Sequence, residues 1–431
     1  SKFAKDHRYA FFPSVSAAWR ISEENFWQPL KGWWNDMKIR GSYGSLGNQV
    51  MDDLGNFPYL ATYGTNSSYN YLINGSKPVI VKAPGLVAPD FTWETVTQMD
   101  FGFDASFLNN RLTGTFDWYR RNTKDMLVAG ATLPATLGAS VPKSNSADMK
   151  TIGWELSLGW NDRLENGFSY WVKGVLSDYQ ATITKYAGND AGFYSQSDGD
   201  GKYYVGQKIG EIWGYHSNGL FQSDDEAATI DQSELYAGKW GAGDVKYEDL
   251  DNDGKITKGE ETIYNPGDKS IIGNKTPRYQ FGITVGFDYK NFDFEMFWQG
   301  TGKRDYMLSG AQFWGFTSQW DVPYTPALDY WTETNTDAYF PRPGWQNGGN
   351  RVISDRYLQS AAYGRLKNLT VGYTIPKNLT TKWGISRLRL YVTGENLLTI
   401  TPLNDAFDPE TLGGMTYPIN RKVAIGLNLT L

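Results

Sequence analysis

The residues best suited to chemistry form the run DLDNDGKITKGE, 249–260, which spaces oxygen donors like the loop of an EF-hand. Asp249, Asp251 and Asp253 fall at positions 1, 3 and 5, and Gly254 at position 6, where the sharp turn favours a residue without Cβ. Lys255 would offer its backbone carbonyl at position 7, Thr257 sits at 9, and Glu260 could chelate with both oxygens at 12. A hard cation such as Ca2+ offsets the mutual repulsion of clustered carboxylates, so these six residues are the expected metal ligands, with calcium as a structural ion. No amphipathic helix pair flanks the run. The expectation is therefore an isolated calcium-type loop, and the competing reading is a solvated Asp/Gly turn.

Aromatic rings supply the second kind of chemistry. Phe, Trp and Tyr number 22, 17 and 28. Many lie between the patterned segments: Tyr69, Tyr71, Phe193, Tyr194, Tyr203 and Tyr204, then Phe313, Trp314, Phe316, Trp320 and Trp345. Flat rings stack on sugar faces and bind at low entropy cost. The last five are the candidate substrate-binding residues; for any single ring, packing within a loop is the plainer account. Catalytic signatures are missing. There is no HExxH, GxSxG, P-loop or GxGxxG between strand and helix, and no enzyme is expected. Only two histidines occur, His7 and His216, which gives a Ser-His-Asp arrangement little to build on. With no cysteine, disulfides, iron–sulfur clusters and thiolate zinc sites are excluded. A net charge of −6 without a Lys/Arg block argues against a nucleic-acid partner.

The elements that must carry these loops read at period 2. Phe281, Ile283, Val285, Phe287 and Tyr289 alternate with Gly282, Thr284, Gly286 and Asp288. Val423, Ile425, Leu427, Leu429 and Leu431 alternate with Ala424, Gly426, Asn428 and Thr430. About eleven such segments appear, near 11–21, 37–46, 96–107, 111–122, 149–160, 167–181, 277–289, 292–303, 360–375, 386–396 and 420–431. Each approaches the length of a tilted membrane strand. Short connections (22–36, 108–110, 161–166, 290–291, 376–385) alternate with long ones (47–95, 123–148, 182–276, 304–359, 397–419). Membrane barrels keep that order, with short inner turns and long outer loops. The apolar face should then meet lipid, and the face bearing Asp100 and Asp104, Asp293 and Glu295, Arg387 and Arg389 should line a hydrated lumen. Bacterial single-chain barrels use an even number of strands, so eleven implies at least one strand upstream of residue 1 and a sheet that does not close alone.

FFPSVSAAWRISEENFW (11–27) with MKIRGSYGSLGNQ (37–49) resembles the SusC/RagA family of TonB-dependent outer-membrane transporters. So do WETVTQMDFGFDASFLNNRLTGTFDWYRRNTKDML (93–127), GWELSLGW (153–160), YWTETNTDAYFPR (330–342), YGRLKNLTVGYTIP (363–376), YVTGENLLTIT (391–401) and FDPE (407–410), in the family's order. The resemblance spans essentially residues 1–431 and implies the C-terminal part of a 22-stranded transmembrane antiparallel β-barrel. It also implies long extracellular loops, 182–276 being the one that carries the calcium-type run. It further implies import of glycan oligosaccharides or peptides into the periplasm, energised by the TonB–ExbB–ExbD complex, with a SusD-like surface lipoprotein as lid. The implied location is the outer membrane of a Gram-negative, Bacteroidetes-like bacterium. The alternative is a secreted, calcium-stabilised soluble β-protein that binds or hydrolyses glycans. It requires the apolar strand faces to meet each other in a core. A passive porin would use the same barrel without energy coupling.

Overall fold

The computed structural model describes residues 3, 5–49, 58–66, 72–77, 79–81, 84–87, 91–129, 134, 136, 141–189, 192–193, 203–413 and 417–431. Tyr69, Tyr71 and Tyr194 lie outside the described residues. Alternating side chains produce eleven long strands: β1 (Ser14–Arg20), β2 (Trp34–Asn48), β3 (Glu94–Phe107), β4 (Leu112–Ala129), β5 (Lys143–Arg163), β6 (Ser169–Tyr186), β7 (Arg278–Tyr289), β8 (Phe292–Lys303), β9 (Tyr363–Thr374), β10 (Arg387–Ile400) and β11 (Lys422–Thr430). They form one sheet in chain order, each strand antiparallel to the next. All eleven expected segments are strands. β4, β5 and β6 run further than expected at their long-loop ends, in β4 through residues such as Thr123 and Lys124. Apolar alternation stops there, yet the backbone ladder continues, because hydrogen bonding does not depend on a greasy face.

Register puts apolar side chains opposite each other on one face. Phe103 faces Ile39 and Phe116 across its two neighbours, and Phe287 lies against Phe294 with ring centroids 5.0 Å apart. No second layer covers this face among the described residues: Phe101 is 54% exposed, Val392 47% and Ile425 83%. A water-soluble sandwich would bury such side chains.

The opposite face is polar and interlocked by ions. Arg40 Nη2 donates to Asp117 Oδ2 at 2.7 Å, and Arg389 Nε to Asp293 Oδ1 at 2.8 Å. Glycines on adjacent strands make room for these long side chains. A Cβ at Gly372 would lie 2.5 Å from Asp293 Oδ1 and from Arg389 Nη2.

The short-turn end carries an aromatic cluster. Trp27 is buried, its indole N–H donates to the Trp34 carbonyl at 3.2 Å, and Trp34 packs against Phe107 with centroids 5.0 Å apart. These rings sit where a barrel places its girdle.

The hydrophobic core lies in the long loops, not in the sheet. Tyr215, Tyr247 and Ile256 of the 187–277 connection, Phe313, Phe340 and Tyr357 of 304–362, and Leu403, Phe407 and Leu412 of 401–421 pack into one buried cluster. Small ladders brace it: Glu211–Tyr215 with Lys269–Asn274, Ser217–Leu220 with Val245–Tyr247, and Asp305–Met307 with Leu358–Ser360. The loops thus form a folded cap on one end of the sheet.

Candidate functional site

The acidic loop is anchored at both edges before it turns. Ile256 is 1% exposed in the cap core; its N–H donates to the Asp231 carbonyl at 2.7 Å, and Asp231 N–H donates to the Gly254 carbonyl at 3.1 Å. Gly254 adopts φ +83°, the left-handed backbone that position 6 demands. Asp249 accepts N–H bonds from Asn252 (2.7 Å), Asp253 (3.2 Å) and Gly254 (2.8 Å). Partial loss of hydration opposes its charge, but these donors prevail and hold the carboxyl below the usual carboxylate range. Asp251 is pushed the other way, by loss of hydration and then by the negative charges of Asp253, Asp268 and Asp249, despite one N–H bond from Asp253.

Carboxylate oxygens of Asp249, Asp251 and Asp268 lie within 4.8 Å of one another. Twice a calcium–oxygen distance of about 2.4 Å is the same span, so the three oxygens can share one ion. Asp268 is 1% exposed and is oriented by Leu250 N–H at 2.8 Å and Thr257 N–H at 2.7 Å. The third carboxylate beside Asp249 and Asp251 is thus Asp268, not the Glu260 expected at position 12. Glu260 is exposed and stands outside the cluster, because Gly259 (φ +58°) and Glu261 (φ +53°) turn the chain away, and it returns at Asp268. Asp253 instead caps Lys255 N–H at 2.8 Å, and the Thr257 carbonyl accepts Asp268 N–H at 3.2 Å. Lys255 pairs with Asp231 in a short parallel bridge.

The five candidate substrate-binding aromatics separate. Phe313 is 0% exposed at the centre of the cap, edge-on to Trp314 (5.1 Å), Phe340 (5.2 Å) and Tyr357 (6.3 Å). Trp314 stands edge-on to Tyr357 at 4.5 Å. Phe313 is a core residue, which corrects the expectation of a ligand platform at that position, and Trp314 is half-buried against the core. Phe316 is half-buried, whereas Trp320 is 83% exposed and Trp345 44%. Elsewhere, Phe193 is buried and stacks on Trp213 at 4.2 Å. Tyr204 donates its hydroxyl to Glu211 Oε2 at 2.6 Å, and burial, then that carboxylate, push its phenol pKa up.

Two contacts escaped the sequence. His216 Nδ1 lies 2.8 Å from Asp355 Oδ2, and its Nε2 lies 2.7 Å from Ser270 Oγ. These partners are 139 and 54 residues away, so no local spacing announces them. A neutral ring donates to Asp355 and accepts from Ser270; a protonated ring donates to both. The array stays satisfied in either state and stitches two long loops together. Ser270 itself belongs to a ladder strand, paired with Gly214. The other is an ion network that ties FDPE to the barrel wall. Arg365, 2% exposed on β9, donates from Nη2 to Asp408 Oδ2 at 2.6 Å and lies 2.9 Å from Glu410 Oε2; Lys367 reaches Glu410 at 3.0 Å.

The family described as "TonB dependent receptor-like, beta-barrel" matches residues 1–397. A TonB-dependent receptor, P3 of Formosa agariphila, is 30% identical over 469 aligned residues, which take in 100% of this chain and 42% of that protein. TonB-dependent receptor SusC of Bacteroides thetaiotaomicron is 27% identical, over 100% of this chain and 41% of its own length. The solved RagAB peptide transporter superposes with a TM-score of 0.77 at 22% identity, covering 99% of this chain and 44% of that one. The chain thus spans less than half the length of the relatives it matches.

Proposed function

Because this chain belongs to the TonB-dependent receptor β-barrel family and is of its SusC/RagA type, we propose that it supplies barrel wall and outer loops to an active importer. The importer carries oligosaccharides or peptides across the outer membrane of a Gram-negative bacterium into the periplasm. The observation that carries this reading is the uncovered apolar face of an eleven-stranded sheet whose other face is polar and ion-paired. Lipid is the medium in which such a surface is stable. The soluble alternative needs the same side chains in a core, and the core is elsewhere, in the loops.

Energy would come from the TonB–ExbB–ExbD complex through parts of the transporter outside this chain, and a SusD-like lipoprotein would close over the cap. Among the aromatic residues, Trp320, Trp345 and Phe316 remain offered to substrate or lid. Calcium would be structural, held by Asp249, Asp251 and Asp268, and would fix the segment 249–268 against the cap. The reading is tested on the complete transporter. It should require detergent for extraction, migrate faster unboiled than boiled, and lose substrate uptake when TonB is deleted. Extraction without detergent would remove the membrane reading, and undiminished uptake without TonB would leave a passive porin.

A further inference from the structure

The ladder Glu211–Tyr215/Lys269–Asn274 meets the long-loop ends of β6, β7 and β8, and the junction frames a solvent-open cavity of about 540 Å³. That volume lies in the range of small-ligand sites. Five charged side chains line it: Lys208, Glu211, Arg278, Lys303 and Asp305. Arg278 is already neutralised by Asp178, with Nη2 2.5 Å from Oδ2. The other four make no ion pair among the described residues. Glu211 is held only by neutral donors, the Tyr204 hydroxyl at 2.6 Å and Lys208 N–H at 3.1 Å, and Asp305 only by Asn274 N–H at 2.9 Å. The Lys208 and Lys303 ammonium groups end without a carboxylate.

The lining thus presents two cations and two anions that do not neutralise one another. A purely anionic ligand would gain from the lysines and lose against the carboxylates, and a purely cationic one the reverse. A neutral sugar would leave all four charges without a counter-charge. The lining's one aromatic, Tyr279, has the Arg278 guanidinium 5.6 Å from its ring centroid, so its face is shared and not a clear stacking platform. A ligand bearing both signs meets every group, and Gln180, whose side chain makes no hydrogen bond among the described residues, offers the donor and acceptor that a peptide unit needs.

We propose that this cavity is a subsite for short peptides with free termini, the carboxylate meeting Lys208 and Lys303 and the ammonium meeting Glu211 and Asp305. The assignment rests on the importer reading and narrows its substrate from oligosaccharide or peptide to peptide.

The test is calorimetry on the complete transporter in detergent, with tetraalanine as probe beside N-acetyl-tetraalanine, tetraalanine amide and maltotetraose. Tetraalanine should bind, and capping either end should weaken it about tenfold or more, as expected when a charge-assisted bond is lost. The Lys208→Ala/Lys303→Ala double variant should weaken tetraalanine by a similar factor and leave tetraalanine amide unchanged. Glu211→Gln, which keeps an acceptor for Tyr204, should weaken tetraalanine and spare the N-acetyl peptide. Equal binding of capped and free peptides, tighter binding of maltotetraose, or no heat with tetraalanine would overturn the subsite. Heat-modifiable migration and TonB-dependent uptake, measured on the same preparations and strains, keep such a failure apart from failure of the importer reading itself.

Discussion

Replacing Arg365 by Met should loosen one loop and leave the barrel intact. Arg365 is 2% exposed; its Nη2 donates to Asp408 at 2.6 Å and its Nε to Thr399 Oγ1 at 2.8 Å, while Nη1 lies 2.9 Å from Glu410 as an ion pair without hydrogen-bond geometry. Removing one partner of a buried ion pair costs about 3–5 kcal/mol when the remaining charge has no other partner. Two features reduce that here. The Asp408 side chain is 27% exposed, so water takes part of the load, and Glu410 keeps Lys367 at 3.0 Å. A cost of about 2 kcal/mol follows. The loss should appear in 403–412, because that segment is tied to the wall through these ions and inserts Leu403, Phe407 and Leu412 into the cap core. β9 keeps its ladders to β8 and β10. Hydrogen exchange followed by mass spectrometry reads the difference directly. Amides in 403–412 should exchange about 30-fold faster, the factor that 2 kcal/mol sets, while those in β8, β9 and β10 keep their rates. Unchanged exchange in 403–412 would mean that the ions do not hold the loop. Equal acceleration across β8–β10 would mean that they hold the barrel instead.

Three further outcomes follow from the same geometry. Calorimetry with Ca2+ on the complete transporter should show Asp268→Asn weakening binding by about tenfold or more, since one charged ligand is lost, whereas Glu260→Gln should match wild type; the opposite ranking would restore the twelve-residue loop. Ile425→Arg, on the uncovered face and paired with Val392, should cost about 2–4 kcal/mol if it meets mid-bilayer, while Ala424→Arg on the polar face, opposite the neutral Thr393, is tolerated; folded yield in lipid vesicles measures both, and equal yields would contradict the assigned faces. Phe313→Ala should destabilise the cap by about 3–5 kcal/mol through cavity formation. Trp320→Ala should stay within about 0.5 kcal/mol of wild type and act, if at all, on uptake; proteolysis rates of the loops separate the two.

The wall was legible because its code is local. A strand at Arg278–Tyr289 needs only that residues two apart share a face, and that is written in Phe281, Ile283, Val285 and Phe287 themselves. The expected bounds fall short where polarity hides continuing pairing, as at Thr123 and Lys124 of β4. The cap follows a different rule. Its contacts join residues far apart in sequence, so a ring such as Phe313 has the same composition signal whether it closes a core or waits for a sugar; only topology, which brings Phe340, Tyr357 and Phe407 around it, tells which. The acidic run obeys both rules. Asp249, Asp251 and the turn at Gly254 are fixed within six residues, so their closeness is legible in the spacing. The third carboxylate depends on a nine-residue excursion, 259–267, that returns the chain beside itself, with Thr257 and Asp268 joined through backbone and side chain alike. A motif that keeps the carboxylates of positions 1 and 3 and gains its third from outside is what a rigid cap permits: once Ile256 and the Asp231 bridge hold the loop in place, any neighbouring segment can supply the remaining oxygen, and the spacing within the motif stops being constrained.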